Sequence, residues 1–239
     1  MWIHFSDFHG ASNIHHVQEV AVLPKIGNKQ SLSEQAYFVI KSAILQNKIK
    51  PKNVLSEESL AADLCISRTP LRAALKRLEF EHLIYINSSR QAVVAEVNVE
   101  DASEAYALRV AVEPVVAKLA ARKLTKESAK KLEESLKRQA RAIEADNLVD
   151  VVTNGLEFDL LLAEATGNSF FIEVAERLTT YMQRVLTLSM THSHDAPFAL
   201  GEHRQMFAAI KEGNEDEAER LSRLHLYNGA ERLGFKPSI

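Results

Sequence analysis

The stretch from Leu55 to Leu78 constrains the fold most, because its pattern predicts two short amphipathic helices joined by a tight turn. A first apolar face ends at the break Cys65-Ile66-Ser67, and a second apolar row of Leu71, Leu75 and Leu78 follows it. Each helix therefore has one side suited to a core and one side left free. A helix-turn-helix of this kind is typical of proteins that bind duplex DNA.

The free side of the second helix carries positive charge, in Arg68, Arg72, Lys76 and Arg77. Arg68 and Arg72 lie one turn apart at the start of the helix, where a guanidinium can bond guanine O6 and N7. Thr69 is placed to donate a hydrogen bond to a phosphate. These residues, with Lys76, form the predicted DNA-binding surface. The alternative is that the arginines pair with Glu79 or Glu81 on the protein's own surface.

Composition limits any nucleic-acid contact to a local patch, because the formal net charge is −3 and the pI is about 6.3. A single cysteine, Cys65, excludes an intramolecular disulfide and is predicted to be a small buried apolar residue. The sequence contains neither a long apolar run nor the pattern of a signal peptide. We therefore expect a cytoplasmic protein with no membrane partner.

Three regions follow from the patterning. Residues 1–30 show no sustained period, which predicts an N-terminal arm that need not be ordered. Residues 31–97 add a helix before the pair and two β-prone runs after it, with Asn87–Gln91 as the hairpin tip. Arg90 at this tip suits a phosphate or the minor groove, although a lone arginine on a hairpin is often simply solvated.

Residues 98–239 contain long apolar rows at helical spacing and few glycines. The sequence therefore predicts a mainly α fold, in which an N-terminal winged helix-turn-helix is followed by an all-α bundle of six or seven helices. Helices in this number can form a bundle with an interior cavity.

Residues 31–97 resemble the winged-helix domain of the GntR family of transcription regulators, through the phrase from Ile66 to Leu75. Residues 99–230 resemble the helical effector (FCD) domain of its FadR-type branch, through Leu108–Pro114 and Leu162–Asn168. The resemblance implies a homodimer in which each winged helix binds half of a roughly palindromic operator. It also implies a bundle that binds a small organic acid.

In many proteins of this branch an Asp and three His hold a divalent metal, and part of that set is present here. His203 and His225 fall at the last two histidine positions, Asp159 replaces the first histidine, and Gly155 replaces the Asp. Asp159, His203 and His225 would still supply three ligands for zinc, nickel or manganese, with open positions for water or an effector carboxylate. The alternative is that both histidines hydrogen-bond Asp159 without a metal.

Arg109 and Arg184 are the predicted effector-binding residues, because an arginine in an apolar helical stretch requires an anionic partner. For Arg109 that partner is either an effector carboxylate or Glu113, one turn later. Other positions depart from the family pattern. A basic residue is replaced by Glu58, and the glycines before the wing and at its tip are replaced by His82 and Ser89.

The leading hypothesis is a DNA-binding regulator, most often a repressor, whose operator binding responds to a small organic acid and which performs no catalysis. Two alternatives remain. One is an architectural DNA-binding dimer without an effector. The other is a metal-dependent hydrolase in which Asp159, His203 and His225 activate water.

Overall fold

The computed structural model describes residues 30–189 and 195–236, so nearly all of the predicted arm lies outside the described residues. The helices within these ranges are α1 (Leu32–Leu45), α2 (Glu57–Asp63), α3 (Arg68–Phe80), α4 (Val99–Lys123), α5 (Lys126–Glu144), α6 (Leu148–Ala165), α7 (Ser169–Ser189), α8 (Ala196–Lys211) and α9 (Glu215–Arg232). The strands are β1 (Val54–Leu55), β2 (Ile84–Ile86) and β3 (Ala92–Val94). The predicted mainly α fold is confirmed.

The first three helices and the sheet form a winged helix, which we call the reading head. The α3 side chains Leu71 and Leu78 are fully buried, and they share a core with Tyr37 and Ile40 of α1. The predicted hairpin forms as the antiparallel pair β2–β3. The sequence did not predict β1, which adds to the other edge of β3 and gives the sheet order β1-β3-β2.

The turn between α2 and α3 is made at Cys65, whose φ of 51° is left-handed. Its neighbours Leu64 and Ile66 pack against the core of the reading head. Cys65 itself is exposed, so the prediction of a buried residue is wrong. The reason is that this residue reverses the chain rather than packing beneath it.

The wing and the end of α3 also use left-handed residues. His82 has a φ of 56°, which is the conformation that a glycine would supply before the wing. At the tip, Arg90 rather than Ser89 is left-handed, with a φ of 59°. The tip is closed by Asn87, whose side-chain oxygen accepts a hydrogen bond from the backbone N–H of Gln91 at 2.9 Å.

Helices α4 to α9 form the bundle predicted from the apolar rows. Helix α4 packs along α9, α5 packs on α6 and α8, and α6 packs on α7. The main bundle core contains large buried side chains from several of these helices, including Leu132, Phe158, Leu162, Met206 and Ile210. Ion pairs join α4 to α9, among them the pair between Arg122 and Glu215 at 2.6 Å.

The reading head and the bundle meet along α7, at contacts that we call the junction. Lys41 of α1 donates a hydrogen bond to the Thr180 hydroxyl at 3.1 Å. One turn further along α7, the Arg184 guanidinium donates to the backbone carbonyls of His82 and Ala95. Within the described residues, no helix is long and apolar enough to span a membrane.

Candidate DNA-binding face and effector cavity

All five predicted DNA-binding residues are exposed: Arg68, Thr69, Arg72, Lys76 and Arg90. The side chains of Arg68 and Arg72 are 58% and 64% exposed, so neither guanidinium is locked inside the molecule. Their acidic partners are on α2, with Arg72 bonded to Glu57 at 2.8 Å and Arg68 within 3.7 Å of Glu58. The alternative in which Arg68 and Arg72 pair with Glu79 or Glu81 is therefore wrong.

Arg72, Lys76 and Arg90 line one groove between α3 and the wing. Arg72 and Lys76 lie four residues apart on α3, and Arg90 approaches from the hairpin tip. Glu57 and Glu79 also line the groove, so its positive charge is partly offset. The structure thus brings a helix with exposed cations and a hairpin tip to the same side of the reading head.

The bundle contains a cavity of about 280 Å³. Its apolar wall includes Val152, Leu156 and Leu186. Its polar wall brings together all three residues predicted to bind metal and one predicted to bind effector, namely Asp159, His203, His225 and Arg109, and adds Gln139 and Arg232.

The two histidines face each other inside the cavity wall. Nε2 of His203 lies 3.2 Å from Nε2 of His225 and 3.9 Å from Oδ1 of Asp159. Ligand atoms of all three residues fall within 4.8 Å of one another. Phe158 stacks on the His203 ring at 4.7 Å and helps to exclude water. Burial and the neighbouring His225 hold the pKa of His203 well below its usual range, so its imidazole is neutral.

The opposite nitrogens of both rings are held by acceptors. Nδ1 of His225 lies 2.6 Å from a Glu202 carboxylate oxygen, and Nδ1 of His203 lies 3.1 Å from the Gln139 amide oxygen. A carboxylate can only accept, so Nδ1 of His225 donates to Glu202. Donation from Nδ1 of the neutral His203 to the Gln139 amide oxygen leaves the Nε2 of His203 free to bind a cation. Glu202 is itself fixed by two hydrogen bonds from Arg232.

Arg109 is buried and already neutralised. Its guanidinium bonds Glu113 at 2.6 and 3.0 Å and Asp159 at 2.8 Å, so the Glu113 partner predicted from the sequence is present. Burial and the charge of Glu113 raise the pKa of Asp159 to about 6, against the opposing effect of Arg109. The hydrogen-bonded network around the cavity therefore contains three carboxylates, Glu113, Asp159 and Glu202, and two guanidiniums, Arg109 and Arg232.

Gly155 stands where the resemblance implies an aspartate ligand, and a neighbouring side chain fills the space. A Cβ at Gly155 would lie 2.9 Å from the Gln139 amide nitrogen and 3.7 Å from the His203 ring. Gln139 is 2% exposed and holds His203 from this position. The lost carboxylate ligand is thus replaced by an amide that orients one of the remaining ligands.

Arg184 does not line this cavity, although the sequence predicted it to bind the effector. Its side chain points away from the cavity, toward the reading head. Its guanidinium donates hydrogen bonds to the backbone carbonyls of His82 and Ala95. The anionic partner that the sequence argument required is supplied by backbone dipoles instead.

The sequence analysis missed Glu202, Gln139 and Arg232. A signal was present for one of them, because His225 and Arg232 are seven residues apart and so share a face of α9. Glu202 and Gln139 lie on α8 and α5, and only the packing of these helices brings them to the histidines.

Comparison with known families assigns both halves of the chain. Residues 32–94 match the bacterial regulatory proteins of the gntR family, and residues 104–228 match the FCD domain. The chain belongs to the GntR family. This GntR protein is a DNA-binding transcription regulator with an FCD domain. Its relatives are regulators rather than enzymes, which overturns the hydrolase alternative.

Curated relatives extend over most of this GntR regulator. It is 27% identical over 214 residues to the HTH-type transcriptional repressor RspR of Escherichia coli K12, covering 90% of this chain and 94% of that protein. It is 24% identical over 203 residues to the gluconate operon transcriptional repressor of Bacillus subtilis, covering 83% of this chain and 82% of that protein.

Solved structures share the fold of this GntR regulator. E. coli McbR/YncC superposes with a TM-score of 0.76 at 21% identity, covering 86% of this chain and 98% of that one. A GntR regulator from Rhodococcus sp. RHA1 gives a TM-score of 0.75 at 20% identity, covering 84% and 97%. At these identities the likeness shows the fold alone.

The Gln139 arrangement predicts different outcomes for two glycine substitutions in helices. Gly201→Ala, where no atom lies within 4 Å, should stabilise the protein by about 1 kcal/mol, because alanine favours the helix. Gly155→Ala should have a free energy of unfolding about 1 kcal/mol lower than that of Gly201→Ala, because the added methyl group displaces Gln139 and weakens a buried hydrogen bond. Chemical denaturation of both variants measures this difference. Equal effects would show that Gln139 moves aside freely.

Proposed function

We propose that this GntR regulator is a repressor that binds an operator as a homodimer in the cytoplasm and responds to a small carboxylate in its FCD cavity. The observation that carries the proposal is a physical connection. Exposed cations of α3 and the wing line one groove, while the same reading head contacts α7, a helix that also lines the cavity. The cavity also argues against a purely architectural dimer, which needs no buried polar chamber.

In the proposed complex, α3 enters the major groove and the wing lies over the adjacent backbone. Arg68 and Arg72 contact base edges, Thr69 contacts a phosphate, and Lys76 and Arg90 add phosphate contacts. The α2 carboxylates at Glu57 and Glu58 hold the arginines in the free protein, and DNA would replace them as partners. These ion pairs are exposed, so breaking them costs little.

The cavity residues fit a divalent metal. Carboxylates outnumber guanidiniums in the hydrogen-bonded network around the histidines, and the two Nε2 atoms lie 3.2 Å apart. A cation bound by both imidazoles would offset this excess of negative charge. Asp159 Oδ1, His203 Nε2 and His225 Nε2 would be the ligands, a set that suits zinc, nickel or manganese.

A metal held by three protein ligands keeps positions open for water or a carboxylate. This matters because both guanidiniums in the cavity wall already have carboxylate partners. Within the described residues, Nη1 of Arg109 makes no hydrogen bond, so it remains as one donor for the effector. The apolar wall would accept a short hydrocarbon portion, which favours a small organic acid.

The homodimer is supported by an unpartnered apolar surface. Leu108 and Val115 of α4 are 47% and 40% exposed, and they lie two turns apart on one face. Leu224 and Tyr227 of the adjacent helix α9 are each 43% exposed. A two-fold axis through the α4–α9 pair would cover these side chains on both subunits.

Operator binding should depend on the exposed cations of α3. With a DNA site selected from a random library, Arg68→Ala or Arg72→Ala should each weaken binding by about 1–3 kcal/mol and relax preference at one base pair. Lys76→Ala should instead reduce the slope of log affinity against log salt by about 1. Fluorescence anisotropy measures both effects.

The matched control for these variants is Arg141→Ala, an exposed arginine on α5 of the bundle that bonds a carbonyl of its own helix. It should bind the selected site like the wild type. Unchanged binding in the Arg68→Ala, Arg72→Ala double variant would refute the proposed mode of DNA recognition.

Metal binding should require both the ligands and the groups that orient them. Calorimetric titration with zinc should show one tight site per chain, which Asp159→Asn and His225→Ala each remove. Glu202→Gln should weaken zinc binding about 10- to 100-fold, because it removes the carboxylate that orients His225. Absence of zinc binding by the wild type would contradict the metal site and favour the hydrogen-bonded histidines alone.

The dimer surface can be tested by placing a lysine at one of two exposed apolar residues, one within the proposed interface and one outside it. Leu108→Lys should convert the dimer to a monomer at micromolar concentration, because the two-fold axis would bury two added charges. Phe198→Lys should leave the mass unchanged, since Phe198 is 68% exposed on α8, a helix outside the α4–α9 pair. Sedimentation velocity gives the mass of each variant. A dimeric Leu108→Lys variant would place the interface elsewhere.

A further inference from the structure

Among the described residues, Arg184 is the most thoroughly buried charge outside the cavity. Its residue is 3% exposed, and among the described residues it forms no ion pair. Its guanidinium instead donates to two backbone carbonyls of the reading head, those of His82 and Ala95. Burial without a carboxylate partner lowers its pKa. A helical bundle gains little stability from such a group, so its position calls for another explanation.

The two carbonyls belong to the structural ends of the DNA-reading elements. His82 ends α3, where its N–H bonds the Glu79 carbonyl at 2.9 Å. Ala95 follows β3 at the base of the wing, where its N–H bonds the Leu83 carbonyl at 3.0 Å. A planar guanidinium that bonds both carbonyls therefore fixes α3 and the wing against each other and against α7.

The same helix lines the cavity. Leu186 and Ser189, within one and a half turns of Arg184, form part of the cavity wall. A shift of α7 caused by a bound group would move Arg184 with it, because neighbouring residues of a helix move together. A single helix, α7, therefore connects the cavity to the reading head.

Two buried hydroxyls of α7 are unsatisfied on the side that carries Arg184. Tyr181 Oη and Thr187 Oγ1, three residues before and after Arg184, have no hydrogen-bond partner among the described residues. An unpaired buried hydroxyl costs free energy, so a second position of α7 that pairs these groups would lie close in energy. Two arrangements of similar energy are what a ligand needs in order to shift a population.

We propose that Arg184 is a positioning residue, which sets the orientation of α3 and the wing relative to α7 and so makes operator affinity depend on occupancy of the cavity. This inference rests on the proposed function, in which the cavity binds a regulatory ligand. It assigns to Arg184 a role in transmission rather than in ligand binding.

The test uses the full chain, its selected DNA site and zinc ions as the cavity probe. In the wild type, zinc should change operator Kd by at least about 5-fold. Arg184→Met should bind zinc with wild-type affinity, yet its operator Kd should change less than about 2-fold on adding zinc, because the link to the carbonyls is gone. Arg184→Lys, which can reach one carbonyl, should give an intermediate ratio. Arg141→Met should behave as wild type.

A wild-type ratio in Arg184→Met would overturn the inference, as would a wild type that binds zinc without any change in Kd. If Arg184→Met does not fold, the Arg184→Lys variant provides the test. A ratio of operator Kd with and without zinc as large as that of the wild type would then refute the positioning role of Arg184. If the wild type binds no zinc, the proposed metal site fails while the inference is still tested by hydrogen exchange. Arg184→Met should then expose amides of residues 83–96 and leave those of α5 protected, and unchanged exchange at 83–96 would overturn it.

Discussion

The requirement that a charge removed from water must be given a partner shapes this protein more than any other constraint. In the cavity it links Arg109 to Glu113 and Asp159, and it links Glu202 to Arg232 and His225. The result is a wall of opposed charges that an apolar bundle would not otherwise keep. Such a wall contributes little to stability, and in the proposed function its role is to bind the ligand that completes it.

The reading head was largely predictable from the sequence, because its signals are local. Helical periodicity located the two helices of the pair, and β-prone runs located the hairpin. The short strand β1 was not predictable, since two residues carry no period and their pairing depends on a partner far along the chain, 39 positions later for Val54 and Val93. The exposed turn at Cys65 was missed for a related reason: residue type does not report φ.

The cavity was only half predictable. Positions matched to a family located Asp159, His203 and His225, and the argument from charge located Arg109, but neither found the side chains that orient them. Those side chains lie on α5, α8 and α9, and the packing of these helices decides which of them meet. The misassignment of Arg184 shows the limit of the argument from charge, because a buried arginine needs acceptors, and backbone carbonyls serve as well as carboxylates.

Contact through main-chain oxygens carries an evolutionary consequence. The carbonyls of residues 82 and 95 are present whatever amino acids occupy those positions, so mutations there leave the bond to the guanidinium available. Surface residues of α3 and of the hairpin tip can then change to recognise new DNA sequences without any change in the hydrogen bonds from Arg184. A bundle of this design can host reading heads of different preference, which suits chimeric regulators built by exchanging one half.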